Sequence, residues 1–172
     1  RLTDQTLVSF GTWKTQFPTI PGHNLPPHAY QPPRLDFGPR FHSEGIADLI
    51  PPKTGKPFRT LLPAVNADGN ETSGIVLPQV AVPLGTYTGW NLRSPLVGAE
   101  TMLSPLDGMF IPFEKTKAER EKTGDPRLSL EERYPTRADY LSRLTEAARK
   151  LQTEGFLLEE DVTRIIERAS AK

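Results

Sequence analysis

The sequence predicts a mixed α+β fold, in which an extended proline-rich arm and a few short strands precede a carboxyl-terminal helical pair. Sixteen of the 18 prolines lie at or before Pro112, whereas 26 of the 42 charged residues lie after it. Proline is excluded from helix interiors, and charged residues between regularly spaced apolar ones are typical of amphipathic helices. A chain of 172 residues buries roughly 70% of its unfolded surface, which suits one structural unit. We expect three regions within it: an arm (residues 1–57), a short-strand region (58–112) and a charged helical region (113–172).

The arm is defined by its prolines, seven of which lie in residues 17–39. Each proline fixes its own φ and moves the preceding residue out of the helical range, so this segment is predicted to be extended. A freely solvated linker rarely carries many large apolar side chains. The arm has Phe17, Ile20, Leu25, Tyr30, Leu35, Phe37 and Phe41. We therefore expect it to dock against a surface, with a solvated linker as the alternative.

The short-strand region contains two apolar runs, residues 58–65 and 75–82. Between them lies Asp68-Gly69, a pair typical of tight turns that need a positive φ. The pattern predicts a hairpin or another paired crossing. Prolines interrupt both runs, so the strands should be short or irregular.

The charged region has helical periodicity. One short helix is predicted over residues 114–123, and a second from the amino-terminal cap Thr136 to about Thr153, with Gly155 as the stop. A third should cover residues 158–169 and form a helical hairpin with the second. The apolar stripes are Leu141, Leu144, Ala148 and Leu151 on one helix, and Leu158, Val162, Ile165, Ile166 and Ala169 on the other. The remaining charged residues are expected to form a solvated face.

Composition excludes several functions. The 21 basic and 21 acidic side chains cancel, which gives no overall attraction to nucleic acid. No apolar run approaches the 18 residues of a spanning helix, so we expect no membrane span. The absence of cysteine excludes thiolate catalysis and cysteine-ligated metals. The chain begins with Arg1 instead of Met, which suggests processing or a fragment of a longer protein. The compartment is left open.

Catalytic motifs are missing. The strained Gly-x-Ser-x-Gly turn of serine hydrolases does not occur, and neither do the glycine motifs that bind nucleotide phosphates, so no cofactor is expected. The three histidines lack a zinc spacing, and no metal site is predicted. His42 is the best single candidate for proton transfer, because an imidazole titrates near neutral pH, although an ordinary loop histidine is the alternative. Oxygen side chains alternate over residues 66–71 as in the opening of a calcium loop, but the closing glutamate is missing and a turn is preferred.

Residues 83–93 carry the densest group of candidate binding residues. Two glycines flank a tyrosine in Gly-Thr-Tyr-Thr-Gly, and Trp-Asn-Leu-Arg follows. Aromatic surface and directional donors on a permissive backbone suit either a pocket wall or a tightly packed corner. The candidate substrate-binding residues are Tyr87, Trp90, Asn91 and Arg93.

Several long strings of the sequence resemble one family. They are Asp-Gly-Asn-Glu at residues 68–71, Gly-Ile-Val-Leu-Pro at 74–78 and Val-Ala-Val-Pro-Leu-Gly-Thr-Tyr-Thr-Gly-Trp-Asn-Leu-Arg at 80–93, with Leu-Asp-Phe-Gly-Pro-Arg-Phe at 35–41 upstream. Downstream, Ile-Pro-Phe at 111–113, Ala-Glu-Arg at 118–120, Gly-Asp-Pro-Arg-Leu-Ser-Leu at 124–130 and Glu-Arg-Tyr at 132–134 extend the match. The chain resembles the carboxyl-terminal part of the alpha/beta hydrolase domain-containing family from about residue 17 to 163.

The resemblance implies a serine hydrolase, esterase-like or lipase-like, whose nucleophilic serine and histidine precede this region. No triad residue can be transferred onto this chain. The chain would then be part of a larger α/β-hydrolase fold, and residues 87–93 would contribute to the wall of the substrate site. Another chain or segment would supply the serine, and a small-molecule ester would be the substrate.

Two other functions compete with the ester hydrolase. One is a non-catalytic structural or interaction module, because an extended proline-rich arm binds partners at a low ordering cost. The other is a metal- or calcium-binding domain, which depends on residues 66–71 and the histidines alone.

Overall fold

The computed structural model describes residues 6–171, which form short helices and strands and one long helical pair. The strands are β1 (Leu7–Val8), β2 (Arg34–Asp36), β3 (Lys53–Gly55), β4 (Leu62–Pro63), β5 (Gly85–Thr88) and β6 (Met109–Pro112). The helices are α1 (Phe10–Gln16), α2 (Phe41–Glu44), α3 (Pro78–Ala81), α4 (Lys117–Thr123), α5 (Leu130–Arg133), α6 (Arg137–Thr153) and α7 (Glu159–Ser170), with a 3₁₀ turn at Pro95–Val97. The mixed α+β class is confirmed.

The strands form separate two-stranded antiparallel ribbons, β1 with β4, β2 with β3, and β5 with β6. In the third ribbon, Gly85 lies opposite Pro112. A Cβ atom at Gly85 would lie 2.4 Å from the carbonyl oxygen of Ile111, so only glycine permits this approach of the two strands.

The predicted hairpin of the short-strand region is correct at its turn and wrong in its second strand. Gly69 has φ 78° and its N–H donates to the carbonyl of Asn66 at 2.9 Å, as a tight turn requires. The strand β4 pairs with β1, however, and Pro78 begins the helical turn α3. Proline is favoured at the first helical position, where its missing N–H has no intrahelical partner to lose. A short apolar run such as residues 75–82 does not distinguish strand from helix by periodicity.

The arm docks in part. No helix forms within residues 17–39, as predicted, and Phe17 and Ile20 are buried. Tyr30 and Leu35 remain largely exposed, so not all of the large apolar side chains of the arm are buried. The helix α1 was not expected from the sequence. It begins after Ser9, whose hydroxyl accepts a hydrogen bond from the N–H of Thr12.

The carboxyl-terminal helical pair is confirmed. Thr136 caps α6, and its hydroxyl and the Asp139 carboxylate form a reciprocal capping box. The helix α7 begins one residue later than predicted and packs against α6. The buried residues of the pair are Leu144, Ala148, Leu151 and Val162. The helix α4 begins at Lys117 rather than at residue 114, because Thr116 provides its cap.

An aromatic and aliphatic core lies between α1, the arm and the third ribbon. Trp13, Phe17, Ile20 and Ile111 are buried, and Trp90 packs against them. The rings of Trp13 and Phe17 lie 5.0 Å apart between centroids, and those of Trp13 and Trp90 lie 5.9 Å apart. These distances are typical of favourable aromatic pairs.

A buried ion pair lies beneath the third ribbon, in a region where the sequence predicted a solvated charged face. Arg127 is only 3% exposed, and its Nη2 donates to Asp125 Oδ2 at 2.6 Å. Its Nη1 donates to the Thr86 hydroxyl at 2.8 Å and to the Ile111 carbonyl at 3.1 Å. Burial alone raises the pKa of the Asp125 carboxyl, but hydrogen bonds from Arg127 outweigh it and hold this pKa below its usual range. Arg127 therefore joins the helical region to both strands of the ribbon.

Candidate functional site

A cavity of about 250 Å³, open to solvent on one side, lies against the aromatic core, and we call it the aromatic cavity. It lies between α1, the arm, β4 and β5. Most of its lining is apolar, and the larger side chains are Phe10, Trp13, Phe17, Tyr30, Leu62, Val65, Tyr87, Trp90 and Leu103. A cavity of this composition suits a small apolar ligand group.

Two segments far apart in the sequence build the aromatic wall. Phe10, Trp13 and Phe17 follow one another at helical spacing along α1 and its carboxyl-terminal cap, so their rings share one face. Trp90 follows β5 and places its ring 5.8 Å from that of Phe17. Gly69, in the turn after β4, also lines the cavity, and a Cβ at this position would lie 3.0 Å from the Phe17 ring.

Besides its tyrosines, the aromatic cavity is lined by the imidazole of His28 and the carboxyl of Glu71. Desolvation raises the pKa of the Glu71 carboxyl. Its Oε1 would lie 3.8 Å from a Cβ at Gly89, which places this carboxyl beside the segment that leads to Trp90. The lining formed by residues 6–171 includes no serine, and in this part of the chain no serine hydroxyl is hydrogen-bonded to a histidine. This cavity can hold an apolar group but does not contain a serine nucleophile from the described residues.

The structure brings two of the four predicted substrate-binding residues together. Tyr87 and Trp90 line the aromatic cavity. Asn91 donates from Nδ2 to the Asp107 carboxylate at 3.1 Å, and Arg93 is exposed; neither lines the cavity. Substrate contact by these residues stays a prediction.

His42, the candidate for proton transfer, lies elsewhere. It is exposed on α2, and its ring contacts the ring of Phe41 at 5.5 Å between centroids. It does not line the aromatic cavity. A catalytic role for His42 stays a prediction without support from this geometry.

The contribution of α1 to the aromatic cavity was not predicted from the sequence. The signal was present in Ser9, a favourable cap, followed by Phe10 and Trp13 three residues apart. The helix is only 7 residues long, and its periodicity is too short to stand out beside the prolines that follow.

The oxygen-rich turn at residues 66–70 is occupied by the protein's own hydrogen bonds. Asn66 Oδ1 accepts from the N–H groups of Asp68 and Asn70, and the Asp68 carboxylate accepts from Arg133. Asn70 is fully buried, with its amide bonded to Gly85 and Tyr87. Within residues 6–171 no group of three or more histidine, aspartate or glutamate side chains could hold a metal ion. These contacts favour a structural turn over a calcium loop.

Comparison with known protein families gives a match to the alpha/beta hydrolase domain over residues 29–167. The chain belongs to this alpha/beta hydrolase family. The resemblance found in the sequence is confirmed, and the matched range includes the third ribbon, Tyr87, Trp90 and most of the helical pair. Searches of curated proteins and of solved structures returned no match.

The family match does not identify a nucleophilic serine in this chain, because the Gly-x-Ser-x-Gly turn is absent from the sequence. The helix α1 and its part of the aromatic wall lie before the matched range. No helix in the described part of the chain is long and apolar enough to cross a membrane.

Proposed function

We propose that this alpha/beta hydrolase family chain is the carboxyl-terminal part of a serine ester hydrolase and forms the apolar wall of its substrate pocket. The observation that carries the proposal is the aromatic cavity, whose lining combines Tyr87 and Trp90 with the aromatic face of α1. Such a cavity suits the acyl or alkyl group of a small ester. Another chain or segment would supply the serine, because this sequence lacks the nucleophile turn.

A fluorophosphonate probe tests whether another chain or segment supplies the nucleophilic serine. We expect the purified chain to remain unlabelled and to hydrolyse no ester, because fluorophosphonates react with activated serines. Natively purified material should contain a second, labelled chain or a longer labelled chain that includes this one, as measured by intact mass spectrometry. Esterase activity of the purified chain alone would contradict the proposal.

Intrinsic fluorescence tests the pocket itself. The chain has two tryptophans, Trp13 and Trp90, and both line the aromatic cavity, so their emission should change when ethyl hexanoate binds. Tyr30 also lines the cavity but is 70% exposed, so Tyr30→Ala removes aromatic wall with little effect on packing. We expect this variant to weaken ester binding about 3–10-fold, the effect of losing one aromatic contact.

Phe156→Ala is the matched control for Tyr30→Ala. Phe156 is also largely exposed but lies in the connection between α6 and α7, outside the aromatic cavity. Its removal should leave the binding curve unchanged. Equal weakening by the two variants would show that the ester binds apolar surface non-specifically and would contradict the proposal.

An exposed apolar loop favours a second candidate function, a non-catalytic interaction module. The connection between β5 and β6 exposes Leu96, Val97, Met102, Leu103 and Leu106. Exposed apolar groups in one segment are typical of surfaces that another protein covers. The fluorophosphonate experiment distinguishes the functions, since a copurifying partner without an activated serine would support the module.

A further inference from the structure

A second cavity of about 450 Å³ lies between the helical pair and the third ribbon, and we call it the basic cavity. Its charged and phenolic lining groups are Arg137, Arg168, Tyr87 and Tyr140. Its apolar lining includes Leu144 and Ile165. Tyr87 lines both cavities, so the basic cavity and the aromatic cavity adjoin at this residue.

The antiparallel arrangement of the helical pair brings the two arginines together. Arg137 and Tyr140 lie on the first turn of α6, and Leu144 follows one turn later on the same face. Ile165 and Arg168 lie three residues apart near the end of α7, which runs back alongside α6. The two basic side chains thus come from opposite ends of two packed helices.

The polar lining of the basic cavity consists mainly of hydrogen-bond donors. Within residues 6–171 neither Arg137 nor Arg168 forms an ion pair, and no carboxylate lines the cavity. Arg137 donates from Nη2 to the carbonyls of Ser170 at 2.6 Å and Ala169 at 3.3 Å, which leaves the N–H groups of its Nε and Nη1 available. Asp139, on the same turn of α6, is engaged with Thr136.

The two tyrosines add neutral donors. In the part of the chain that the structure describes, neither the Tyr87 nor the Tyr140 hydroxyl forms a hydrogen bond. Burial raises the pKa of both phenols, and the proximity of Tyr140 raises that of Tyr87 further, so both hydroxyls are protonated at neutral pH. Guanidinium and phenol groups without an acidic partner are suited to an anion.

We propose that the basic cavity binds a free monocarboxylic acid with an aliphatic chain. Arg168 and Arg137 contact the carboxylate, because a planar guanidinium matches a carboxylate with paired hydrogen bonds. The chain of the acid packs on Leu144 and Ile165. This site does not depend on the ester pocket, because its charged residues lie outside the aromatic cavity.

Calorimetric titration of the full 172-residue chain with octanoate tests the proposal. We expect octanoate to bind more tightly than acetate, octanamide or inorganic phosphate, each of which lacks either the tail or the carboxylate. Arg168→Met keeps the aliphatic stem and removes the charge, and it should weaken octanoate binding about tenfold or more, the effect of losing a charge-assisted hydrogen bond. Arg164→Met is the control, since Arg164 is a largely exposed residue on the same helix that lies outside the cavity.

Several outcomes would overturn the site. The first is that octanoate gives no heat of binding, and the second is that octanamide or acetate binds as tightly as octanoate. The third is that Arg168→Met and Arg164→Met weaken octanoate binding equally. Weakening of octanoate binding by Tyr30→Ala, with no effect of Arg168→Met, would place the acid in the aromatic cavity instead. Circular dichroism of each variant should match that of the parent chain, and Tyr140→Phe, which removes one hydroxyl, provides a second, milder variant if Arg168→Met does not fold.

Discussion

Replacing Arg127 by methionine is expected to lower the free energy of unfolding by about 3–5 kcal/mol, the usual effect of breaking a buried ion pair. The substitution leaves the Asp125 carboxylate, only 5% exposed, without its cationic partner. It also removes the donors to the Thr86 hydroxyl and to the carbonyls of Ile111 and Pro112. Urea unfolding followed by circular dichroism measures the change.

Arg164→Met is the matched control for Arg127→Met. Arg164 is 58% exposed, and its ion pairs with Glu160 and Asp161 lie on the surface of α7. Surface pairs of this kind contribute about 0–1 kcal/mol, so the control should unfold close to the parent chain. Equal stability of the Arg127 and Arg164 variants would mean that Arg127 does not join the helical region to the ribbon.

A double variant separates the two sources of the Arg127 effect. Adding Asp125→Asn to Arg127→Met removes the uncompensated buried charge. It does not restore the hydrogen bonds that Arg127 donates to β5 and β6. We expect the double variant to be more stable than Arg127→Met alone and less stable than the parent chain. If the double variant were no more stable than Arg127→Met, the whole loss of stability would come from the missing Arg127 hydrogen bonds to β5 and β6.

Replacing Asn70 by alanine is expected to lower the free energy of unfolding by about 2–4 kcal/mol, because two buried backbone groups lose their partners. The Asn70 side chain is fully buried, donates from Nδ2 to the carbonyl of Gly85 at 3.1 Å and accepts at Oδ1 from the N–H of Tyr87 at 2.7 Å. These contacts attach the turn after β4 to the free edge of β5. Urea unfolding again provides the measurement.

The Asn70 variant has a second expected effect. Tyr87 lines both cavities, so loosening its backbone should also weaken the binding of ethyl hexanoate and octanoate. Asn91→Ala is the matched control, because within residues 6–171 the Asn91 side-chain amide hydrogen-bonds only to the exposed Asp107 carboxylate. A loss of stability as large in Asn91→Ala as in Asn70→Ala would contradict the assigned role of Asn70.

Local signals were sufficient to predict the helical pair and its caps. The side chain of Thr136 meets backbone groups within its own turn, and the apolar stripes of α6 and α7 repeat over enough residues to define one face. Gly69 likewise marks a turn whose hydrogen bonds close within five residues. Interactions between residues near in sequence can be predicted from residue types because the chain fixes their separation.

The candidate site could be predicted only in part. Tyr87 and Trp90 were chosen from one short segment, and the structure places them in the wall of the aromatic cavity. Their partners Trp13 and Phe17 come from a segment about 70 residues earlier, and nothing local to either segment predicts that the two meet.

Periodicity, caps and long motifs were enough to predict the α+β class, the helical pair and the membership of the alpha/beta hydrolase family. Three features became known only from the fold: β4 pairs with β1, residues 78–81 form a helical turn, and Arg127 is buried in a region expected to be solvated. Strand pairing and burial depend on which distant surface covers a segment. The free energy of burying an apolar run or a charged side chain depends on the surface that buries it, and it cannot be derived from the segment alone.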